Sequence, residues 1–178
     1  MGYVEIPRID VKLPIYHGTS EEVLSRGTGH LNESSLPIGR NSMHTVLTGH
    51  RGLPSATLFT HLDKMEKGDV FYIHSLDKVP IYKVEQIKVV LPEEIDDLLV
   101  VKDQDYATLL TCTPYGVNTH RLLVKGHRVP DELKEKENKQ SKPFMIEDWV
   151  IGVSVAALVV LALIIYIRKK KQRQRQES

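Results

Sequence analysis

Between Trp149 and Ile167 the chain reads WVIGVSVAALVVLALIIYI, 19 residues without a charge. As a helix rising 1.5 Å per residue, the run is about 28 Å long, the thickness of a bilayer's hydrocarbon core. A buried core helix of this length ordinarily keeps a polar face, so the run reads as a transmembrane helix. Trp149 and Tyr166 stand where interfacial aromatics are favoured, Glu147 and Asp148 lie before the run, and Arg168-Lys169-Lys170-Lys171 follow it. Because basic residues collect on the cytoplasmic side, the expected topology puts the carboxyl terminus in the cytoplasm and residues 1–147 outside the cell. A domain of that length holds one hydrophobic core and not two.

The charges divide in the same way. Of 24 Lys and Arg, six lie after Ile167, leaving 18 before Asp148 against 21 Asp and Glu, so residues 1–147 carry −3 where the whole chain carries +1. A mildly acidic body lacks the clustered basic face that nucleic acid requires, and no nucleic-acid partner is expected. The stretch DELKEKENKQSK has one apolar residue in 12 and cannot bury a face, so it reads as a solvated linker. The expected organisation is a body over 1–130, a charged linker over 131–147, a membrane helix over 148–167 and a basic tail over 168–178. Export of such a body needs a signal, and MGYVEIPRID has neither a basic region nor an apolar stretch of sufficient length. It reads as a strand entered partway through a domain, and the chain is expected to be a fragment without its natural amino terminus.

Within the body, short β-branched runs alternate with turn signals. Strands are predicted over 3–9, 14–17, 45–50, 70–74, 81–91, 107–112 and 121–129. Short helices are predicted over 21–26, over 57–65 where Leu58, Leu62 and Met65 recur at helical spacing, and over 93–100. Many short strands without an internal repeat indicate an all-β barrel or sandwich. Glu93, Glu94, Asp96 and Asp97 lack the alternating ligands and glycine of a calcium loop, and read as acids meeting a helix dipole.

One cysteine, Cys112, excludes an internal disulfide framework and any zinc site built from several thiolates. It ends the run ATLLTC, in which a period of two puts Thr108, Leu110 and Cys112 on one face; Pro114 and Gly116 then stop the strand. Arg121 opens RLLVKGHRV nine positions later, so an antiparallel return strand brings it back beside Cys112. A lone cysteine is commonly a small buried core residue. A strand end beside a returning cation is the setting in which a thiol becomes a nucleophile, provided a base is at hand. Among eight histidines, His50 has the best context, because Gly49 and Gly52 bracket it at the end of the strand TVLT. His120 adjoins Arg121 on the opposite face, His44 and His127 fall within or at the edge of strands, and His17, His30, His61 and His74 have only loop or surface contexts.

Thr48-Gly49-His50, Thr108-Leu109-Leu110-Thr111-Cys112 and Arg121 together resemble the signature elements of the sortases, cysteine transpeptidases of Gram-positive surfaces, over about residues 3–129. The string LLTCTPYGVNTHRLLVKGHR and the carboxyl-terminal apolar run resemble class C, the pilin-polymerising sortases. The resemblance implies an eight-stranded β-barrel with short helices, a groove lined by His50, Cys112 and Arg121, and no cofactor or metal. It implies that Cys112 attacks an LPxTG-like sorting signal, that His50 acts as general acid and then base, and that Arg121 holds the substrate and its oxyanion. The acceptor is then a lysine amine of a pilin subunit. Class C enzymes carry a membrane segment and a lid before the barrel; nothing here corresponds to either, which agrees with a truncated chain whose Cys112 is more exposed than in the complete enzyme. Two other readings compete: a cell-wall-anchoring sortase or hydrolytic cysteine peptidase, and a non-catalytic membrane-tethered binding domain.

Overall fold

The computed structural model describes residues 1–130 apart from 54, 55 and 77. Its strands in chain order are β1 (Gly2–Ile6), β2 (Val11–His17), β3 (Thr28–His30), β4 (Met43–Thr48), β5 (Val70–Ser75), β6 (Ile81–Val90), β7 (Asp105–Thr113) and β8 (His120–Val129). One turn of α-helix, α1 (Glu21–Leu24), lies between β2 and β3. The strands close into a barrel in the order β1-β2-β3-β4-β7-β8-β6-β5, which resolves the choice between barrel and sandwich. The β2–β3 and β4–β7 pairings are parallel and the rest antiparallel.

Alternation of side chains sets the inside of the barrel. Leu47 of β4 lies opposite Leu109 of β7, Leu109 opposite Val124 of β8, and Val124 opposite Ile87 of β6. This row joins Val4, Ile6, Phe71, Ile73 and Tyr82 in one core, and each fully buried side chain of this kind contributes roughly 1.5–3 kcal/mol. The next residues along, Thr48, Leu110 and Leu123, form a row on the other face of the sheet. At β4 that outer face is covered, since His44 and Val46 are both fully buried.

The seven predicted strands are all present, with some ends shifted from the predicted ones. The first stops at Ile6 because Pro7 offers no N–H and begins a 3-10 turn over Pro7–Ile9. β4 stops at Thr48, before Gly49. The strand missed, β3, is three residues long and contains Gly29, too short for a pattern. The helix expected over 57–65 is a chain of turns with a 3-10 turn at Leu62–Lys64, because Leu58 sits at φ 38°, outside helical space. Leu58, Leu62 and Met65 are buried all the same, so their spacing reported a buried face and not a helix. The helix over 93–100 reduces to a 3-10 turn at Asp96–Leu98. Glu94 accepts a hydrogen bond from the Leu91 amide, and Asp97 pairs with Lys88 at 2.6 Å.

Among the described residues no helix is long and apolar enough to cross a membrane. The apolar run 149–167, the linker 131–147 and the tail 168–178 lie outside the described residues.

Candidate active site

The parallel pairing of β4 with β7 places the carboxyl ends of these two strands side by side. Thr48 lies opposite Leu110, so His50 and Cys112 each follow two residues beyond the same rung. β8 returns antiparallel along β7 and sets Arg121 directly opposite Cys112. All three line one groove of about 590 Å³ on the outer face of the sheet, with Val46, Thr48 and Leu110 as its floor. Leu24 of α1 and Leu31 line it as well, together with Pro92, Ile95, Leu98 and Leu99 from the β6–β7 connection. A second cavity of about 730 Å³, around Arg40, Asp105, His127 and Arg128, contains none of the three.

Hydrogen bonds hold the backbone around the groove. The Gly49 amide donates to the Leu110 carbonyl at 3.1 Å, and the buried Thr111 hydroxyl donates to the Gly49 carbonyl at 2.8 Å. The Phe59 amide donates to the His50 carbonyl at 3.0 Å. Position 49 must be glycine for this approach, because a Cβ there would lie 2.8 Å from the Phe59 ring. Cys112, directly after Thr111, is half-buried.

The His50 side chain is 26% exposed, and its Nε2 lies 3.2 Å from both carboxylate oxygens of Glu21. Glu21 opens α1, whose first turn is capped by the Ser20 hydroxyl accepting from the Val23 amide. An Nε2–H donating to Glu21 leaves Nδ1 as the lone-pair nitrogen of the neutral ring. Arg121 donates through Nη1 to the Asn118 and His120 carbonyls, at 3.1 Å each, and has no ion pair among the described residues. Its remaining donors are available to a carbonyl or an oxyanion in the groove. No hydrogen bond links Cys112 to His50 or Arg121 among the described residues. The arrangement offers a thiol, an imidazole and a fixed cation on one surface, the set needed to form and resolve a thioester.

The sequence pattern missed three residues that support this set. His44 is fully buried, donates from Nδ1 to the Leu99 carbonyl at 3.0 Å, and accepts at Nε2 from the Thr108 hydroxyl at 2.8 Å. It thereby ties β4 and β7 to the connection that walls the groove; burial, partly offset by the bond to Leu99, holds its pKa below the ordinary 6.5. Glu21 and Arg51 are the others, and only the adjacency of Arg51 to His50 could have drawn attention to it. The placing of His30 in a loop or surface context is corrected, since it lies on β3 and is buried; His17 is exposed on β2, and His74 lies on β5, each within a predicted strand. His120 pairs with Thr113, one step from the Cys112–Arg121 rung, as the strand period requires.

A family model described as the sortase domain matches residues 4–129. Sortase SrtE1 of Streptomyces coelicolor is 32% identical over 146 residues, which cover 75% of this chain and 41% of that protein. The crystal structure of sortase C1 from Streptococcus suis is 63% identical with a TM-score of 0.72, covering 72% of each chain. A structure described as the pilus-related sortase C of Group B Streptococcus is 58% identical with a TM-score of 0.72, over 74% of this chain and 68% of that one. The chain thus spans less than half of the Streptomyces relative. Since the family match runs from β1 to β8 and takes in every strand that shapes the groove, the chain belongs to the sortase family, and within it resembles class C.

Proposed function

We propose that this chain is a cysteine transpeptidase that cleaves an LPxTG-like sorting signal and transfers the acyl part to a lysine amine of a pilin subunit. The observation that carries the reading is the rung pairing Cys112 with Arg121 in the groove that also holds His50. Similarity to class C structures, one of them described as pilus-related, supports the pilin acceptor.

The chemistry follows from the residues. The Cys112 thiolate attacks the carbonyl carbon of the signal's threonine, and the oxygen gains charge beside the Arg121 guanidinium. The C–N bond to the following glycine breaks, and the protonated His50 ring gives its proton to the departing amine. A thioester to Cys112 remains. The acceptor amine then attacks the thioester carbonyl, His50 takes up the proton, and the C–S bond breaks to release an isopeptide and restore the thiolate. The apolar run at 149–167 would anchor the enzyme, with the barrel outside the cell and the basic tail in the cytoplasm.

Product analysis with a sorting-signal peptide, with and without a lysine-bearing acceptor, tests this. Transfer product that forms only with the acceptor and vanishes in Cys112→Ala is expected. Hydrolysis alone under both conditions would point to a peptidase, and unchanged function in Cys112→Ala to a binding domain.

A further inference from the structure

Arg51 follows His50 directly, yet its side chain leaves the groove and is only 9% exposed. Each nitrogen of its guanidinium is engaged. Nε donates to the Thr60 carbonyl at 3.1 Å, Nη1 donates to the Thr113 hydroxyl at 3.3 Å, and Nη2 pairs with Asp63 at 2.6 Å. The Tyr115 ring lies 5.9 Å from the guanidinium carbon. Thr60 and Asp63 belong to the segment after β4, whereas Thr113 and Tyr115 belong to the end of β7 and the turn beyond it.

This network continues the sheet past the point where its ladder ends. The β4–β7 register stops at Thr48 and Leu110. Gly49 then ties to Leu110 and Thr111, and the next cross-link is Arg51 to Thr113. His50 and Cys112 are the residues between those two cross-links, one on each strand extension. Gly52, at φ +83°, lets the Tyr115 ring close over this region, since a Cβ there would lie 3.0 Å from the ring.

We propose that Arg51 is a positioning residue: its guanidinium braces the two strand extensions and sets the separation of the His50 imidazole from the Cys112 thiol. A planar fork serves three partners in fixed directions, which a lysine ammonium cannot reproduce. The effect on turnover rests on the transpeptidase reading; the brace itself does not.

The test uses the full chain and the variants Thr113→Val, which removes only the cross-link at a half-buried position, and Arg51→Lys. Two measurements are made: kcat and KM with a sorting-signal peptide and amine acceptor, and the rate of Cys112 alkylation by iodoacetamide at neutral pH. Both variants are expected to lose about 10- to 100-fold in kcat, with KM within about twofold, because misplacing reacting groups costs rate and not ground-state binding. Alkylation is expected to slow as the thiol loses its imidazole neighbour, and the double variant to be no worse than the poorer single one. Wild-type kcat and alkylation in folded Thr113→Val, with only a lower Tm, would overturn the brace. Should the wild-type chain transfer no peptide, the transpeptidase reading falls, and the alkylation rates still decide the brace.

Discussion

Thr108→Val removes one hydroxyl and keeps the shape of a side chain that is fully buried. That hydroxyl donates to His44 Nε2 at 2.8 Å, while the opposite ring nitrogen donates to the Leu99 carbonyl. After the substitution the ring keeps its proton on Nδ1, and Nε2 becomes a buried acceptor without a donor. Leaving such a group unsatisfied costs about 1–3 kcal/mol. For a barrel of about 130 residues, roughly 3–5 °C of Tm accompany each kcal/mol, so the melting point should fall by about 3–15 °C. Urea unfolding measures the change, with the midpoint shifting and the slope staying constant if only stability is altered. A cycle with His44→Phe isolates the pair, because a partner already absent cannot be orphaned; a coupling of about 1–2 kcal/mol is expected. A folded Thr108→Val protein within about 0.5 kcal/mol of wild type, with no coupling, would refute the assignment of this bond and of His44 as the tie to the groove wall.

His44 also makes stability depend on pH. Its folded pKa is depressed below 6.5, chiefly by burial, so at intermediate pH the unfolded chain binds a proton that the folded chain lacks. The contribution is complete above about pH 6.5 and declines as pH falls through the folded value. Urea titrations from pH 7.5 to 5 should show this loss in wild type and a flatter profile in His44→Phe; parallel profiles would count against it. His50→Ala and Arg121→Ala are expected to lose about 100-fold or more of transfer rate while folding normally, as read by circular dichroism and steady-state kinetics. A near-normal rate in either removes that residue from the mechanism. Glu21→Gln keeps an oxygen acceptor for His50 without the charge, and should lower kcat only about 2- to 10-fold, given the exposure of the pair; a loss as large as that of His50→Ala would mean that Glu21 does more than orient the ring.

The barrel was legible wherever a strand was long enough to alternate. β5 alternates over its 6 residues, β6, β7 and β8 are 9 or 10 residues long, and the turn between the last two is short enough to set Arg121 against Cys112 from sequence alone. The nearness of His50 to Cys112 was legible only through motif resemblance. It depends on the parallel pairing of β4 with β7, strands separated by two others in the chain, and no local pattern reports such a pairing. β3 was invisible because three residues carry no period. Glu21 and His44 were missed because their partners lie 29 to 64 positions away, and Arg51 because its link to Thr113 spans 62; only the folded chain brings these groups together.

The most direct test of the account is mass spectrometry of the full chain incubated with an LPxTG-type peptide and no amine acceptor. Cys112 is the only thiol in the sequence, so a thioacyl adduct has one possible sulfur. A mass increase corresponding to the peptide cut after its threonine, mapped to Cys112, lost in Cys112→Ala and discharged by an added amine, is the predicted result. Cleavage of the peptide with no adduct at Cys112, or equal cleavage by the Cys112→Ala protein, would contradict the claim that this groove works through a thioester.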